Sequence, residues 1–246
     1  MNKRAVIKLS GEALAGDKLH GYCDTVLGSL SLQLKAVLDG GMQLAIVIGG
    51  GNYWRGAGKV SMDRVRADQM GMLATVMNAV YISEFFKKSG IATAIMTPMP
   101  FANITAVYDK DTAIARMDTG YVTIHAAGLC HPYFTTDSVT ALRAAELQAD
   151  FVLFAKNGVG GVYDKSPAEH SDARMYKRLS YESAIRSQLQ FVDTTALNIL
   201  KEEGIPSFVF NMDEPDSFVR ACFEEKKTFG TILDNNLEEE YYVNPH

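Results

Sequence analysis

Short apolar runs alternate with longer segments of helical periodicity along most of the chain. Apolar and β-branched runs predict strands at residues 5–9, 44–48, 91–96, 121–125, 151–155, 207–210 and 228–233. Apolar residues at three- and four-residue spacing predict helices at residues 24–39, 62–88, 109–117, 137–148, 194–203 and 216–225. Because strands and helices alternate, we expect an α/β fold of three layers, in which helices sandwich an open, mainly parallel sheet.

Residues 157–180 interrupt this alternation. They are rich in Gly, Asp and Lys with isolated Val and Tyr, a composition typical of a hairpin excursion outside the core. The acidic tail from Glu238 onward is expected to fray. No internal repeat and no linker rich in Pro or Ser divides the chain. We therefore predict a single domain over residues 1–246 with a lobe-like division near residue 150.

Composition and charge exclude several classes of protein. The chain has 246 residues, 47% of them hydrophobic, and a formal net charge of −5. It therefore has no basic excess for general nucleic-acid binding. Its three cysteines are far apart, and His125, Cys130 and His131 match no zinc spacing, so no protein metal site is predicted. No signal-peptide core or membrane-length apolar run occurs, which predicts a cytoplasmic protein without a membrane partner.

The strongest local signal is the glycine run that follows the second predicted strand. The apolar residues 46–48 lead directly into Gly49, Gly50, Gly51 and Asn52, with Arg55 three residues further on. Glycines at a strand end allow backbone N–H groups to approach an anion, and a guanidinium fits phosphate oxygens. The spacing is that of neither a Walker A motif nor a dinucleotide fingerprint. The run predicts a phosphate site at the carboxyl edge of the sheet.

A second candidate follows the first predicted strand. Lys8 ends this strand, and Ser10 and Gly11 offer backbone donors at the turn behind it. An ammonium at this position reaches a transferring phosphoryl group as a point charge. A lysine can also flank a strand by chance. The neighbouring glycine run favours the functional interpretation.

The starts of two predicted helices contain residues with a structural as well as a functional interpretation. Asp68 stands near the start of a long helix, where it either favours the helix dipole or accepts ligand hydroxyls. Thr135 or Thr136 can cap the next helix or bind phosphate at its N-terminus. Asp137 can orient lysine ammonium groups or water around magnesium.

Together these motifs resemble those of bacterial uridylate kinases, within the amino acid kinase superfamily. The resemblance rests on residues 7–14, 47–58, 64–78, 133–138, 191–193 and 209–212. It implies an amino acid kinase-like α/β fold and phosphoryl transfer from ATP to UMP, giving UDP and ADP in pyrimidine biosynthesis. It also implies Mg²⁺, a homohexamer built as a trimer of dimers, and often regulation by GTP and UTP.

Carried over residue by residue, the resemblance assigns Lys8, Arg55 and Asp137 to catalysis. The ATP-binding residues it implies are Lys8, Leu9, Ser10, Gly11, Gly51, Arg55, Asn157, Tyr163 and Ser166. The UMP-binding residues it implies are Gly50, Asp68, Leu129, Cys130, His131, Pro132, Tyr133, Phe134, Thr135 and Thr136. The acceptor side would then occupy about residues 1–150 and the ATP side about residues 151–235.

The sequence departs from the family pattern at two places. Gly128-Leu129-Cys130-His131-Pro132 stands where the family usually has Gly-Thr-Gly-Asn/Phe-Pro, so Leu129 replaces a hydroxyl. Ser166 stands where an Asp is expected, although Asp164 is close. A lost polar partner matters strongly for substrate discrimination. These departures leave two alternatives open, namely a kinase with a changed acceptor and a nucleotide-binding regulatory protein with weak catalysis.

Overall fold

A continuous ten-stranded sheet forms the centre of the molecule in the computed structural model, which describes residues 3–18, 20–54 and 61–242. The strands are β1 (Arg4–Leu9), β2 (Gln43–Ile48), β3 (Thr93–Thr97), β4 (Ala106–Val107), β5 (Val122–His125), β6 (Phe151–Lys156), β7 (Tyr176–Ser180), β8 (Ser207–Asn211), β9 (Thr231–Asp234) and β10 (Glu240–Tyr241). Their order is β10-β7-β9-β8-β6-β1-β2-β5-β3-β4. All neighbouring pairs are parallel except β8–β9 and β10–β7.

Helices connect these strands. They are α1 (Gly11–Ala15), α2 (Asp24–Asp39), α3 (Arg64–Lys88), α4 (Lys110–Asp118), α5 (Thr136–Glu146), α6 (Tyr181–Arg186), α7 (Thr194–Glu203) and α8 (Ser217–Phe223). The predicted α/β fold with a mainly parallel sheet is confirmed, and the position of each predicted strand and helix corresponds to an element within a few residues.

The strands are buried on both faces because helices cover both sides of a parallel sheet. Alternate residues of β1 enter two separate apolar clusters: Ala5, Ile7 and Leu9 pack on one face and Val6 on the other. Lys8 shares the face of Val6, since side chains alternate along a strand. This register directs a charged side chain to the layer of helices that contains α5.

Two predictions about the second half of the chain are wrong. Residues 176–180 were expected in a hairpin outside the core, but they form β7, which pairs with β9 inside the sheet. The tail was expected to fray, but Glu240 and Tyr241 pair with β7 as β10. Both strands are short and contain charged residues, so their apolar pattern is weak. The predicted division into two lobes near residue 150 stays a prediction.

Gly230 explains how the chain turns into β9. Its backbone has a φ of +68°, and a Cβ at this position would lie 2.5 Å from Cζ of Phe208 and 2.7 Å from the carbonyl oxygen of Val209. The left-handed conformation and the contact with backbone both require glycine. Gly90 also has a positive φ, +77°, but a Cβ there would meet no atom within 4 Å.

This pair of glycines separates conformational strain from steric overlap. We expect Gly90→Ala to lower the free energy of unfolding by about 1 kcal/mol, the cost of a left-handed L-residue. Gly230→Ala should cost about 1–3 kcal/mol more, because β8 must move away from the new methyl group. Urea denaturation of both variants measures the difference. Equal losses would show that the contact with Val209 relaxes freely.

Candidate active site

Four neighbouring strands bring the predicted site residues together at the carboxyl edge of the sheet. β1 ends next to Lys8, β2 leads into Gly49, β5 leads into a loop at residues 126–135, and β6 ends at Lys156. These strands are parallel and adjacent in the order β6-β1-β2-β5. Open α/β sheets bind their ligands at this edge.

The glycine loop, residues 49–52, packs directly against the start of α1. A Cβ on Gly11 would lie 2.5 Å from the backbone nitrogen of Gly51, and a Cβ on Gly51 would lie 2.0 Å from Oε1 of Glu12. Ser10 caps α1, since its Oγ accepts a hydrogen bond from the Ala13 N–H at 3.2 Å. Leu9 is fully buried, so it can offer a ligand only its backbone. The two backbone turns thus meet at Gly11 and Gly51, with the Glu12 carboxylate packed against Gly51.

A pair of buried amides fixes the glycine loop on α3. Asn78 Nδ2 donates to the carbonyl oxygen of Gly49 and to Oδ1 of Asn52, each at 2.7 Å. Asn52 Nδ2 donates back to Asn78 Oδ1 at 3.1 Å and to the Gly21 carbonyl at 2.9 Å. The Tyr22 hydroxyl also donates to Asn78 Oδ1 at 3.0 Å. Asn78 was not among the predicted site residues, because its only sequence signal is that of a polar residue on a buried helix face.

An ion pair lies at the centre of the site. Lys8 Nζ is 3.1 Å from Oδ1 of Asp137, and the two side chains are only 12% and 15% exposed. Asp137 lies in the first turn of α5. A negative charge at that position also interacts favourably with the helix dipole. The structure therefore joins two of the three predicted catalytic residues.

Lys156 is a third charged residue, next to Lys8 and Asp137, and it was not among the predicted site residues. Burial lowers the pKa of its ammonium group, the nearby Lys8 acts in the same direction, and Asp137 acts in the opposite direction. Its Nζ donates to the backbone carbonyl of Phe191. Like Lys8, it ends a buried strand at the carboxyl edge, and this common position is the signal that could have identified it.

Asp193 holds the start of α5 against the start of α7. Its carboxylate accepts hydrogen bonds from the Thr135 hydroxyl, from the Ser138 N–H at 3.1 Å and from Ser138 Oγ at 2.9 and 3.0 Å. It also caps α7 through the Ala196 N–H at 2.9 Å. Thr135 caps α5 through the N–H groups of Asp137 and Ser138. The capping interpretation of Thr135 is confirmed, and one carboxylate sets the position of Asp137.

A cavity opens between α3 and the β5 loop, residues 126–135. Its lining comprises Gly50, Trp54, Asp68, Gly71, Met72, Thr75, Gly128, Leu129, His131, Phe134, Thr135 and Thr136. This β5-loop cavity brings together most residues of the predicted UMP set. Cys130, Pro132 and Tyr133 belong to the same loop but not to this lining. The Cys130 side chain instead packs against the core.

Asp68 holds the β5 loop in place. Its Oδ2 accepts a hydrogen bond from the Tyr133 N–H at 2.9 Å, and both of its oxygens lie 2.9 Å from Nε of Arg64. The carboxylate thus lies at the cavity wall with one partner on its own helix and one on the loop. The predicted contact of Asp68 with ligand hydroxyl groups stays a prediction.

The β5 loop contains an unusual backbone. Ala127, Cys130 and Tyr133 have φ values of +60°, +56° and +73°, and Gly128 has +59°. Such conformations cost L-residues free energy and cluster at ligand sites. The Ala127 N–H donates to Oγ1 of Thr75 at 2.7 Å, which secures the start of the loop. The cavity is therefore shaped by a strained but well-anchored segment.

On the other side of Asp137, two adjoining grooves share residues 188–191. Asp137 lines the first groove, together with Asp193 and Thr194. Tyr163, Asp164 and Ser166 line the second, which we call the hairpin groove. Asn157 lies elsewhere, in a groove with Gly16 and Asp213, and its amide donates to Asp213 at 2.8 and 2.9 Å. The structure thus unites Tyr163 and Ser166 but places Asn157 apart from them.

Three further expectations concern what the structure does not describe or contain. Arg55 lies outside the described residues. No group of three His, Cys, Asp or Glu side chains among the described residues could hold a metal ion. In the described part of the chain, no helix is both long and apolar enough to span a membrane.

Comparison with known proteins agrees with this geometry. Residues 3–211 match the model of the Amino acid kinase family, and the chain belongs to this family. Bacterial proteins named uridylate kinase are among the relatives it resembles. Two such proteins, from two strains of Streptococcus thermophilus, are each 41% identical over 238 residues, covering 96% of this chain and 96% of theirs. The resemblance drawn from the motifs is confirmed.

Solved structures give the same result. The UMP kinase from Bacillus anthracis is 33% identical with a TM-score of 0.93, covering 98% of this chain and 99% of that chain. The UMP kinase from Ureaplasma parvum is 32% identical with a TM-score of 0.89, covering 96% of this chain and 100% of that chain. The predicted amino acid kinase-like fold is confirmed.

The amide pair provides a test of how the glycine loop is held. We expect Asn78→Leu to lower the free energy of unfolding by about 3 kcal/mol or more, because it leaves several buried polar groups unpaired at about 1–3 kcal/mol each. Ser83→Ala is the matched control on the same helix, since Ser83 Oγ bonds only Thr93 Oγ1 at 2.6 Å. It should cost about 1 kcal/mol. Similar losses in the two variants, measured by denaturation, would contradict the assigned role.

Proposed function

We propose that this protein transfers the γ-phosphoryl group of ATP to UMP, giving UDP and ADP. The observation that carries the proposal is the position of Asp137. Its neighbour Thr136 lines the β5-loop cavity, and Asp137 itself lines the groove that adjoins the hairpin groove. The Lys8–Asp137 ion pair therefore lies between the β5-loop cavity, which we assign to the acceptor, and the adjoining grooves, which we assign to the donor. The names of the relatives support the choice of UMP.

UMP would occupy the β5-loop cavity, with its phosphate toward Gly50 and Thr136 and with Asp68 as the acidic partner for its hydroxyl groups. ATP would lie along the hairpin groove, with its nucleoside near Tyr163 and Ser166. Its γ-phosphate would face Lys8, Ser10, Gly11 and Gly51, and Arg55 would complete this phosphate set. Leu129, Cys130, His131, Pro132, Tyr133 and Phe134 would form the loop that closes over UMP. Asn157 is expected near the adenosine, which requires ATP to reach beyond the hairpin groove.

The chemistry needs positioning and positive charge rather than a general base. The acceptor is a phosphate oxygen of UMP, which is already ionised at neutral pH. Lys8 and Lys156 would neutralise the charge on the transferring group, and backbone N–H groups of the glycine loop would bind its oxygens. Asp137 orients Lys8 and acts against the lowering of the Lys156 pKa by burial. Asp137 thus orients one lysine and partly offsets the effect of burial on the other.

The residues present fit Mg²⁺ bound chiefly by the nucleotide. Mg²⁺ in phosphoryl-transfer sites keeps several waters and takes one or two carboxylates plus phosphate oxygens. Asp137 is the carboxylate at the centre of this site and would hold one of those waters. When bound, the ion neutralises phosphate charge.

The two alternatives remain as outcomes of the assay. Leu129 lines the cavity beside His131 and suggests a changed acceptor. Asp164, which is close to Ser166, is paired with Arg174 through Nε at 3.1 Å. The 41% identity to uridylate kinases over 96% of the chain favours UMP over either alternative.

An assay with a matched control tests this function. ADP release from ATP and Mg²⁺ is measured with UMP, CMP, dUMP, AMP or GMP as the acceptor. UMP should give the highest rate, and Asp137→Asn should lower it on the order of 100-fold, because the charge that orients Lys8 is lost. Asp111→Asn, in the first turn of α4, removes a carboxylate from the same helical position. Asp111 lines neither the cavity nor the two grooves, so this change should leave the rate unchanged.

Chelation with EDTA should abolish the rate and excess Mg²⁺ should restore it. Turnover with another acceptor and not with UMP would establish a changed acceptor. Tight ATP binding without turnover for any monophosphate would establish the regulatory alternative. Loss of rate in Asp111→Asn would mean that the effect of Asp137→Asn is not specific.

A homo-oligomer is the second part of the proposal, with a trimer of dimers as the expected form. An exposed apolar stripe along α3 supports it: Met70, Leu73, Met77 and Val80 are 38%, 53%, 53% and 41% exposed. Apolar residues that recur on one exposed helix face favour contact with another protein surface. Regulation by GTP and UTP and a cytoplasmic location stay predictions.

One negative charge introduced into the apolar stripe tests whether this face of α3 is a subunit interface. Leu73→Glu should lower the mass measured by sedimentation velocity, since a buried carboxylate at an interface is costly. Leu32→Glu places the same substitution on α2, where Leu32 is 73% exposed, and should leave the mass unchanged. An unchanged mass in Leu73→Glu would exclude this face as the interface.

A further inference from the structure

The short strand β10 closes the edge of the sheet next to the hairpin groove. It pairs with β7, and the ring of Tyr241 stacks on Tyr176 with centroids 4.3 Å apart. The next residue, Tyr242, donates its N–H to the Met175 carbonyl at 3.0 Å and its hydroxyl to the Gly230 carbonyl at 3.0 Å. The last described residues are thus attached to the base of the hairpin by ring and backbone contacts.

Tyr241 is connected to the hairpin groove through one arginine. The guanidinium carbon of Arg174 lies 4.1 Å from the centroid of the Tyr241 ring. On its other side, Arg174 donates from its backbone N–H to Asp164 Oδ1 at 2.9 Å and from Nε to Asp164 Oδ2 at 3.1 Å. Asp164 lines the groove between Tyr163 and Ser166. A continuous series of contacts therefore runs from β10 to the groove wall.

The strand of the hairpin that contains Tyr163 is also held by contacts at the hairpin base. Tyr163 forms an isolated antiparallel bridge with Met175. The sulfur of Met175 packs so closely that a Cβ on Gly161 would lie 3.0 Å from it. Residues 166–172 at the tip of the hairpin are exposed and contribute nothing to the core. The position of Tyr163 and Ser166 thus depends on contacts at the hairpin base.

We propose that Tyr241 and Arg174 are positioning residues for the donor nucleotide, acting through Asp164 on the groove wall that contains Tyr163 and Ser166. The proposal rests on the function proposed above. Neither residue lines the groove. Their role is to order the hairpin before the nucleotide arrives, so that binding does not have to include the entropy cost of ordering it.

These contacts explain why the aromatic ring of Tyr241 matters more for holding Arg174 than its hydroxyl group does. A planar guanidinium that stacks on an aromatic face keeps its orientation, and Arg174 is otherwise 56% exposed. Without the ring, the Arg174 guanidinium is free to turn to solvent, and Asp164 keeps the bond from the Arg174 backbone N–H but loses the bond from Nε. The β5-loop cavity lies on the other side of Asp137 and is not touched by this series.

Steady-state kinetics of the full chain tests the proposal. Tyr241→Ala should raise the KM for Mg-ATP roughly threefold to tenfold, the size expected for a lost ring–cation contact. The KM for UMP and kcat should stay within twofold of wild type. Tyr241→Phe retains the ring and should restore the wild-type KM for Mg-ATP.

Tyr121→Ala is the matched control, because the guanidinium carbon of Arg116 lies 5.3 Å from the centroid of the Tyr121 ring, just before β5 in the other half of the sheet. It removes the same kind of contact and should change neither KM. Thermal unfolding of each variant checks that the comparison is made on folded protein.

Three results would overturn the proposal. They are an unchanged KM for Mg-ATP in folded Tyr241→Ala, an equal rise of both KM values, and failure of Tyr241→Phe to restore the wild-type KM. Calorimetric titration with ADP separates this proposal from the function. If wild type binds ADP but shows no transfer to UMP, the proposed function fails. Weaker ADP binding by Tyr241→Ala than by wild type and Tyr241→Phe would still support the positioning role in that case.

Discussion

The contact between two backbones, the start of α1 and the glycine loop, is the constraint on which the site depends. Gly11 and Gly51 approach so closely that a side chain on either would overlap its neighbour. The ends of β1 and β2 lie side by side at this edge, where the Gly49 N–H donates to the Leu9 carbonyl at 2.8 Å. Asn78 holds the loop from the opposite side through hydrogen bonds to Gly49 and Asn52. Two short turns and one buried amide pair thus build the proposed phosphate site, which has no P-loop.

The electrostatics of the centre follow from this placement. Lys8 and Lys156 end neighbouring buried strands, so two ammonium groups lie close together in a region of low exposure. Two such charges repel each other and lose hydration, which lowers the pKa of Lys156. Asp137 offsets both effects, and Asp193 fixes the helix start that carries it. Binding of a phosphate would continue the same compensation, because each new negative charge meets lysines that are already positioned.

The sequence was sufficient for the fold class, most elements and the core of the site, because long apolar strands and a triple glycine are strong local signals. It was insufficient where function depends on contacts between distant segments. Lys156 had no motif around it, and Asn78 was one polar residue in a long helix. Asp193 was noticed only as part of the family resemblance. β7 and β10 are short strands that pair with each other, and the apolar pattern of each segment gives no information about its pairing partner.

The strand order also has a consequence for how the chain is made. β1 precedes every other strand but lies in the middle of the sheet, between β2 and β6. During synthesis it can pair with β2 early, whereas its other edge stays open until the second half of the chain has left the ribosome. An open apolar edge invites pairing with other chains. The same placement that buries Lys8 between two strands therefore makes the nascent chain dependent on rapid completion or on a chaperone.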